Sequence, residues 1–534
     1  MHTKPTIGIL AAALCASVGA QAQAPVATPI VETQQGKVQG LEQDGVDAFL
    51  GLRYAAPPVG PLRFKPPRPV ASWTGTWDAT SMGAPCMQMY TPSGPNETDL
   101  TRTIQTIFPT YGEAKIDNED CLFLNVWTPA ADAQKRPVMV WFHGGGYAYG
   151  SGGWPVYAGR NLAAKGNVVV VTVNHRLNAF GYTYLGDKLG ADFAESGNAG
   201  QLDLVAALEW VRDNIVAFGG DPANVTIFGE SGGGSKVSHM LATPAADGLF
   251  TKAIIESGPG VTSGKKADAA KLANDLMAKL GVTTAEELQA VPADTLLEAA
   301  RAVLPERGMS FGGPNFGPIV DGVVLESDPF LPAAPAQSKD VPVMIGYNKD
   351  EMTLFVASQP WFGRLDAAML DGMATMMGPE AKATIDYLKK ERPNESPTYI
   401  ATSAMSWRFA QGSYIIADQI ARAGGAPVYV YRLDWETPVA GGVLRTPHTL
   451  EMPFVFANVD TSRALVGEGE APEKLEAMMS DAWIAFAKTG TPASPLIPDW
   501  PAYTLAERQV MIFDLEPEVV NDPEKGLREL AGAK

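Results

Sequence analysis

The chain has 534 residues, 46% of them hydrophobic and 19% charged, which is enough apolar matter for a large core and excludes a disordered or fibrous protein. Its 41 Lys and Arg face 59 Asp and Glu, a formal charge of -18, and that sign excludes nucleic acid as the expected partner. In chain order, Lys4, the apolar run Ile7 to Ala20 and the small residues Ala22 and Ala24 have the make-up of a secretory signal peptide over residues 1–24, with the mature chain starting near Pro25. The run is shorter than the roughly 20 residues that a spanning helix needs, so no stable membrane insertion is expected and the protein is expected to be secreted or periplasmic. Removing the leader takes one Lys and no acid, leaving -19. It also removes Cys15. The remaining cysteines of an exported chain, Cys86 and Cys121, predict a disulfide, with two buried free thiols as the alternative.

Short apolar runs rich in branched residues then recur at Val138 to Phe142, Val168 to Val173, Val225 to Phe228, Ala253 to Ile255, Val343 to Gly346 and Val428 to Tyr431. They are apolar throughout instead of alternating, which suits strands of a mostly parallel sheet covered on both faces. Leu204, Leu208, Val211, Ile215 and Phe218 recur at helical spacing and lead into Gly219 and Gly220, an amphipathic helix between two of these strands. The fold class is therefore α/β. From Lys265 to Leu304 the pattern turns helical, with a Thr284 to Glu287 capping box, and a second helical stretch runs from Ala367 to Gly425. No internal repeat or linker divides the chain, so residues 25–534 read as one large domain with helical insertions at about 261–335 and 360–425 that could wall a pocket.

Chemistry enters at Gly229-Glu230-Ser231-Gly232-Gly233, which follows the strand Val225 to Phe228 and precedes a helix through Met240. Strand, motif and helix together predict a sharp turn that lifts the Ser231 hydroxyl out of the sheet as a nucleophile, with glycines where neighbouring side chains would collide. A neutral hydroxyl needs a base, and the mature chain has four histidines: His143, His175, His239 and His448. The order Ser, acid, His leaves the last two. His239 sits eight residues beyond Ser231 on the same helix, about 12 Å along its axis, and points elsewhere, so His448 is the base. The acid is expected beyond the strand Val343 to Gly346, where Asp350 and Glu351 both qualify. His143-Gly144-Gly145-Gly146, at the end of the strand Val138 to Phe142, has the form of an oxyanion loop, with the amide of Gly232 as a further donor. No Gly-Lys-Ser/Thr or dinucleotide spacing follows, which excludes a phosphate loop, and no metal-ligand cluster is present.

Several motifs carry a family resemblance: Phe218-Gly219-Gly220-Asp221-Pro222 leading into Val225-Thr226-Ile227-Phe228-Gly229-Glu230-Ser231, the run Glu119-Asp120-Cys121-Leu122-Phe123-Leu124-Asn125-Val126, and Phe49-Leu50-Gly51 with Pro57-Pro58-Val59-Gly60 and Leu62-Arg63-Phe64. Over nearly the whole mature chain the sequence resembles the type-B carboxylesterases, the cholinesterase-like branch of the α/β-hydrolases. The resemblance implies an α/β-hydrolase fold and a triad of Ser231, Glu351 and His448. It further implies Gly145, Gly146 and Gly232 as oxyanion donors, Glu230, Ser257 and Glu451 as supporting residues, and the Cys86 to Cys121 bridge. Gly232 stands where Ala is frequent in the family, Asp203-Leu204 lacks the usual Gln, and Thr449 follows His448 where Gly is frequent. No Trp lies between Cys86 and Cys121, so the aromatic choline site of true cholinesterases is not evident.

These expectations describe a serine carboxylesterase that acts on small-molecule esters through an acyl-enzyme and needs no cofactor. The alternatives are a specialised hydrolase of the same machinery, acting on carbamates, aromatic diesters or toxin esters, and a catalytically silent binding scaffold. Oligomeric state has no signature in the sequence.

Overall fold

The computed structural model describes residues 25–89, 117–304 and 315–532; the leader expected at 1–24 lies outside them. Twelve strands form one mixed sheet: β1 (Val26–Ala27), β2 (Leu41–Gln43), β3 (Val46–Arg53), β4 (Phe123–Thr128), β5 (Arg136–Phe142), β6 (Val169–Val173), β7 (Gly220–Glu230), β8 (Lys252–Glu256), β9 (Val343–Asn348), β10 (Val428–Leu433), β11 (Gln509–Phe513) and β12 (Glu518–Asn521), in the order β1-β2-β3-β4-β6-β5-β7-β8-β9-β10-β11-β12. From β6 to β11 all neighbours pair in parallel, while the strands on either flank pair antiparallel. All six apolar runs of the sequence become central strands of this parallel portion.

Alternation along β5 shows why those runs are apolar throughout. Val138, Val140 and Phe142 face one core, with Ile227 and Ile255, while Met139 and Trp141 face the other, with Phe228 and Ile254. Helices cover both faces, so neither side of a central strand meets water. The first face packs against α1 (Ala199–Asn214) through Leu204, Leu208 and Val211, and against α2 (Gly232–Ala242) through Val237 and Met240. The amphipathic helix read from the sequence is α1 followed by a 3-10 turn, Ile215–Phe218, closed by Gly219 in the left-handed region.

The helical stretch after β8 contains α3 (Lys266–Leu280), α4 (Ala285–Ala290) and α5 (Ala293–Val303), and the Thr284 to Glu287 capping box opens α4 with both of its hydrogen bonds formed. The second stretch is α6 (Ala367–Met377), α7 (Pro379–Glu391) and the 27-residue α8 (Pro397–Ala423). The opposite face is covered by α9 (Glu470–Thr489) through Leu475, Met479, Trp483 and Phe486. Neither α9 nor the flanking strands stand out in the sequence reading. In β3, Asp47 and Gly51 interrupt the apolar pattern, and the strand carries an irregularity in register between Phe49 and Leu52. Cys86 and Cys121 are joined as a disulfide, Cα to Cα 4.9 Å, and both are buried.

No helix among the described residues is long and apolar enough to cross a membrane.

Candidate active site

Ser231, Ser257, Glu351 and the His143–Gly146 loop lie at or just beyond the C-terminal ends of neighbouring parallel strands, where such sheets place their crevice, and His448 lies in the long segment that follows β10. Ser231 stands between β7 and α2 with φ 56 and ψ -121, a strained backbone for a residue with a side chain. Its N–H donates to Glu256 O at 2.8 Å, which anchors the turn to β8. The glycines around it are dictated by backbone crowding: a Cβ on Gly233 would lie 1.9 Å from Phe142 O, and one on Gly232 would lie 2.5 Å from Gly146 N. That second distance accounts for Gly232 where the family frequently has Ala: in this chain the loop after β5 sits directly against residue 232.

The loop after β5 directs its carbonyls away from the crevice. Gly144 O meets His143 Nδ1 at 2.8 Å, so that nitrogen carries the proton, and Gly145 O accepts from the N–H groups of Ala148 and Tyr149. In a trans peptide the N–H opposes the C=O, so the N–H groups of Gly145 and Gly146 face the other way. Among the described residues they have no acceptor, and neither has the N–H of Gly232. Three such amides beside the Ser231 turn have the character of an anion site.

Of the two candidate acids, geometry favours one. Glu351 Oε2 lies 2.5 Å from His448 Nδ1, and Glu351 Oε1 accepts from Asn348 N at 2.9 Å. Asp350 does not pair with the imidazole. Burial raises its carboxyl to about 6, against the pull of Arg445 and Lys349. The His448 ring lies between Phe355 and Phe409, with centroids 5.0 and 5.2 Å away. Its Nε2 is 3.1 Å from Glu230 Oε1, and no hydrogen bond joins it to Ser231 among the described residues. Glu230 and Ser231 are consecutive, so the two alternatives for Nε2 are adjacent.

The expected supporting residues cluster behind this pair. Ser257 Oγ donates to Glu451 Oε1 at 2.9 Å, and Asn348 Nδ2 donates to Glu451 Oε2 at 2.5 Å. Four glutamates, Glu230, Glu256, Glu351 and Glu451, are at most 1% exposed. Burial, reinforced by the neighbouring carboxylates Glu451, Glu351 and Glu256, pushes the Glu230 carboxyl well above its ordinary range. Burial and the charge of Glu351 raise Glu451 to about 7, with His448 opposing. Glu256 is raised by burial and by Glu451, and accepts from Trp483 Nε1 at 3.0 Å. Thr449, where Gly is frequent in the family, holds φ 73, a conformation that a β-branched residue rarely adopts.

The sequence reading did not single out Asn348, Glu256 or Lys236 for the site. Asn348 lies three residues before Glu351, in the run Asn348-Lys349-Asp350-Glu351, so its position was legible. A lysine in the helix after Ser231 carries no such mark. His239 lies away from Ser231, with Nε2 3.0 Å from Ser263 Oγ. Among the described residues no group of three or more His, Cys, Asp or Glu could hold a metal.

A sequence profile of the carboxylesterase family matches residues 27–528. The chain is 39% identical over 511 residues to the para-nitrobenzyl esterase of Bacillus subtilis, covering 94% of this chain and 98% of that one. It is 34% identical over 508 residues to the phenmedipham hydrolase of Pseudarthrobacter oxydans, covering 93% and 97%. Among solved structures, a carboxylesterase of Geobacillus stearothermophilus superposes with a TM-score of 0.80 at 37% identity, covering 94% of this chain and 99% of that one.

Proposed function

The chain belongs to the carboxylesterase family and is a carboxylic ester hydrolase of the α/β-hydrolase fold, and on that premise we propose that Ser231, His448 and Glu351 form its catalytic triad. The observation that carries this reading is the 2.5 Å contact between His448 Nδ1 and Glu351 Oε2, buried beside the strained turn that presents Ser231. Glu351 holds the imidazole with its proton on Nδ1, which leaves Nε2 with a lone pair. Nε2 leaves Glu230 for the adjacent Ser231 and takes the hydroxyl proton as Oγ bonds to the ester carbonyl carbon. The carbonyl electron pair moves onto oxygen, where the N–H groups of Gly145, Gly146 and Gly232 receive it. Collapse expels the alcohol, which takes the proton from His448. Water then attacks the acyl-enzyme by the same route and releases the acid.

The high affinity of the Glu230 carboxyl for its proton suits this scheme. A carboxyl whose proton is held more tightly than usual competes less with Glu351 for the imidazolium. Ser257, Asn348 and Glu451 support the pair from behind through their hydrogen bonds. The leader at residues 1–24 and the Cys86–Cys121 disulfide favour action outside the cytoplasm, secreted or periplasmic.

The test is hydrolysis of p-nitrophenyl esters of increasing acyl length by the wild type and by Ser231→Ala. Turnover that the substitution lowers about a million-fold supports the triad and reports the depth of the acyl pocket. Turnover that survives in Ser231→Ala overturns it.

A further inference from the structure

Lys236 is fully buried on α2, five residues beyond the proposed nucleophile, a position that normally needs a specific reason for a lysine. Its Nζ donates to two carbonyls of the loop after β5, His143 O at 2.9 Å and Gly146 O at 2.7 Å, and lies 5.1 Å from the centre of the Tyr147 ring. The two carbonyls belong to the peptide units that flank the Gly144–Gly145 and Gly145–Gly146 units, whose N–H groups are the proposed oxyanion donors.

We propose that Lys236 is a positioning residue that clamps the oxyanion loop at both ends and so holds the N–H groups of Gly145 and Gly146 on the developing charge. The inference rests on the triad and oxyanion reading given above.

The loop needs such a clamp. Gly145 and Gly146 have φ of 84 and 61, a region that glycine enters freely but does not favour over others. A Cβ on Gly146 would meet open space, so packing does not fix that residue from the crevice side. The two inner carbonyls are held within the loop's own segment, by His143 and by the turn at Ala148 and Tyr149. The two outer ones are held by Lys236. Without it, both peptide units could rotate to find other partners, carrying the donor amides with them. Donors fixed before the reaction stabilise a transition state best, since none of that stabilisation is then lost to reorganisation.

The clamp also agrees with Gly232. The loop it holds lies so close to residue 232 that a methyl there would strike Gly146. The charged and titratable groups around Lys236 are Glu230, His143, His175 and Tyr147; burial brings the lysine down to about 7, opposed by Glu230. Either protonation state has enough N–H groups for both carbonyls.

Lys236→Met is one atom shorter, keeps a long unbranched side chain and removes the donors. It is expected to lower kcat about 30-fold with KM within twofold, and to weaken inhibition by a short-chain trifluoromethyl ketone by a similar factor. That inhibitor adds reversibly to Ser231 and places an oxyanion in the same donors. Lys236→Gln, which keeps a shorter amide donor, is expected to fall between Met and wild type, and it decides by the same readouts if the Met variant does not fold. An unchanged kcat, or a loss that appears in KM or thermal stability without a matching loss of ketone affinity, overturns the clamp. The wild type separates the two claims. Without Ser231-dependent turnover the triad reading itself fails, whereas Ser231-dependent turnover with an unmoved Lys236 variant removes only the clamp.

Discussion

Around Ser231 the site is built from backbone, whereas around His448 it is built from buried side chains. On the first side the contacts are amides, carbonyls and glycines in which an added methyl would lie 1.9 to 2.5 Å from main-chain atoms of the neighbouring segment. On the second side Glu351, Glu451, Asn348 and Ser257 meet through side-chain hydrogen bonds, with Glu256 and Glu230 nearby. The backbone half is specified by shape, and at Gly232 and Gly233 it tolerates no added volume. The side-chain half is specified by charge, and there an isosteric change preserves the shape while altering the protonation.

Three substitutions would break or sharpen this contrast. The largest effect is expected for Glu351→Gln, which keeps the volume and removes the charge. The amide would present an N–H₂ group to Nδ1 or force the other tautomer, and kcat is expected to fall about ten-thousand-fold while the urea midpoint barely moves. A loss below tenfold would mean that another carboxylate orients the imidazole.

Gly233→Ala is the counterpart in the backbone half. Its methyl would approach Phe142 O, and relief requires the elbow and β5 to separate, a cost of about 3 kcal/mol at every pH, read from the urea midpoint. A variant of wild-type stability would show the elbow to be looser than its packing implies.

Glu451→Gln is expected to have the smallest effect, confined to one side of neutrality. The carboxyl has an ordinary value of 4.5 and is raised to about 7 in the fold, so the native state binds the extra proton between those limits. Its contribution is fully present below 4.5 and is lost as pH rises through 7. The glutamine has no proton to lose. Urea denaturation from pH 4.5 to 8 should show wild type losing stability relative to the variant as pH rises. A constant difference would place the titration elsewhere, for example at Glu230 or Glu256.

The same contrast explains how much of the site was legible in the sequence. Ser231, the glycines beside it and the His143–Gly146 loop lie within short segments, because a strand, a tight turn and a helix N-terminus are local structures with local sequence requirements. His448 followed from elimination among four histidines, an accident of composition more than a general rule. Spacing alone does not separate Asp350 from Glu351; the family resemblance points to Glu351, and the fold puts its carboxylate, not that of Asp350, against the imidazole. Thr449 at positive φ runs against local expectation and had no signal beyond the resemblance.

By itself the sequence determined the α/β class, the six central strands, the sharp turn at Ser231 and the pairing of Cys86 with Cys121, all of which depend on periodicity, composition or neighbouring residues. Only the tertiary structure decided the gathering of four glutamates from the ends of separate strands and loops, the contact of Glu351 with the imidazole, and the placement of Lys236 against the carbonyls of the loop after β5. Such groups are far apart along the chain, and their protonation and hydrogen bonding follow from the burial and neighbours that strand order imposes.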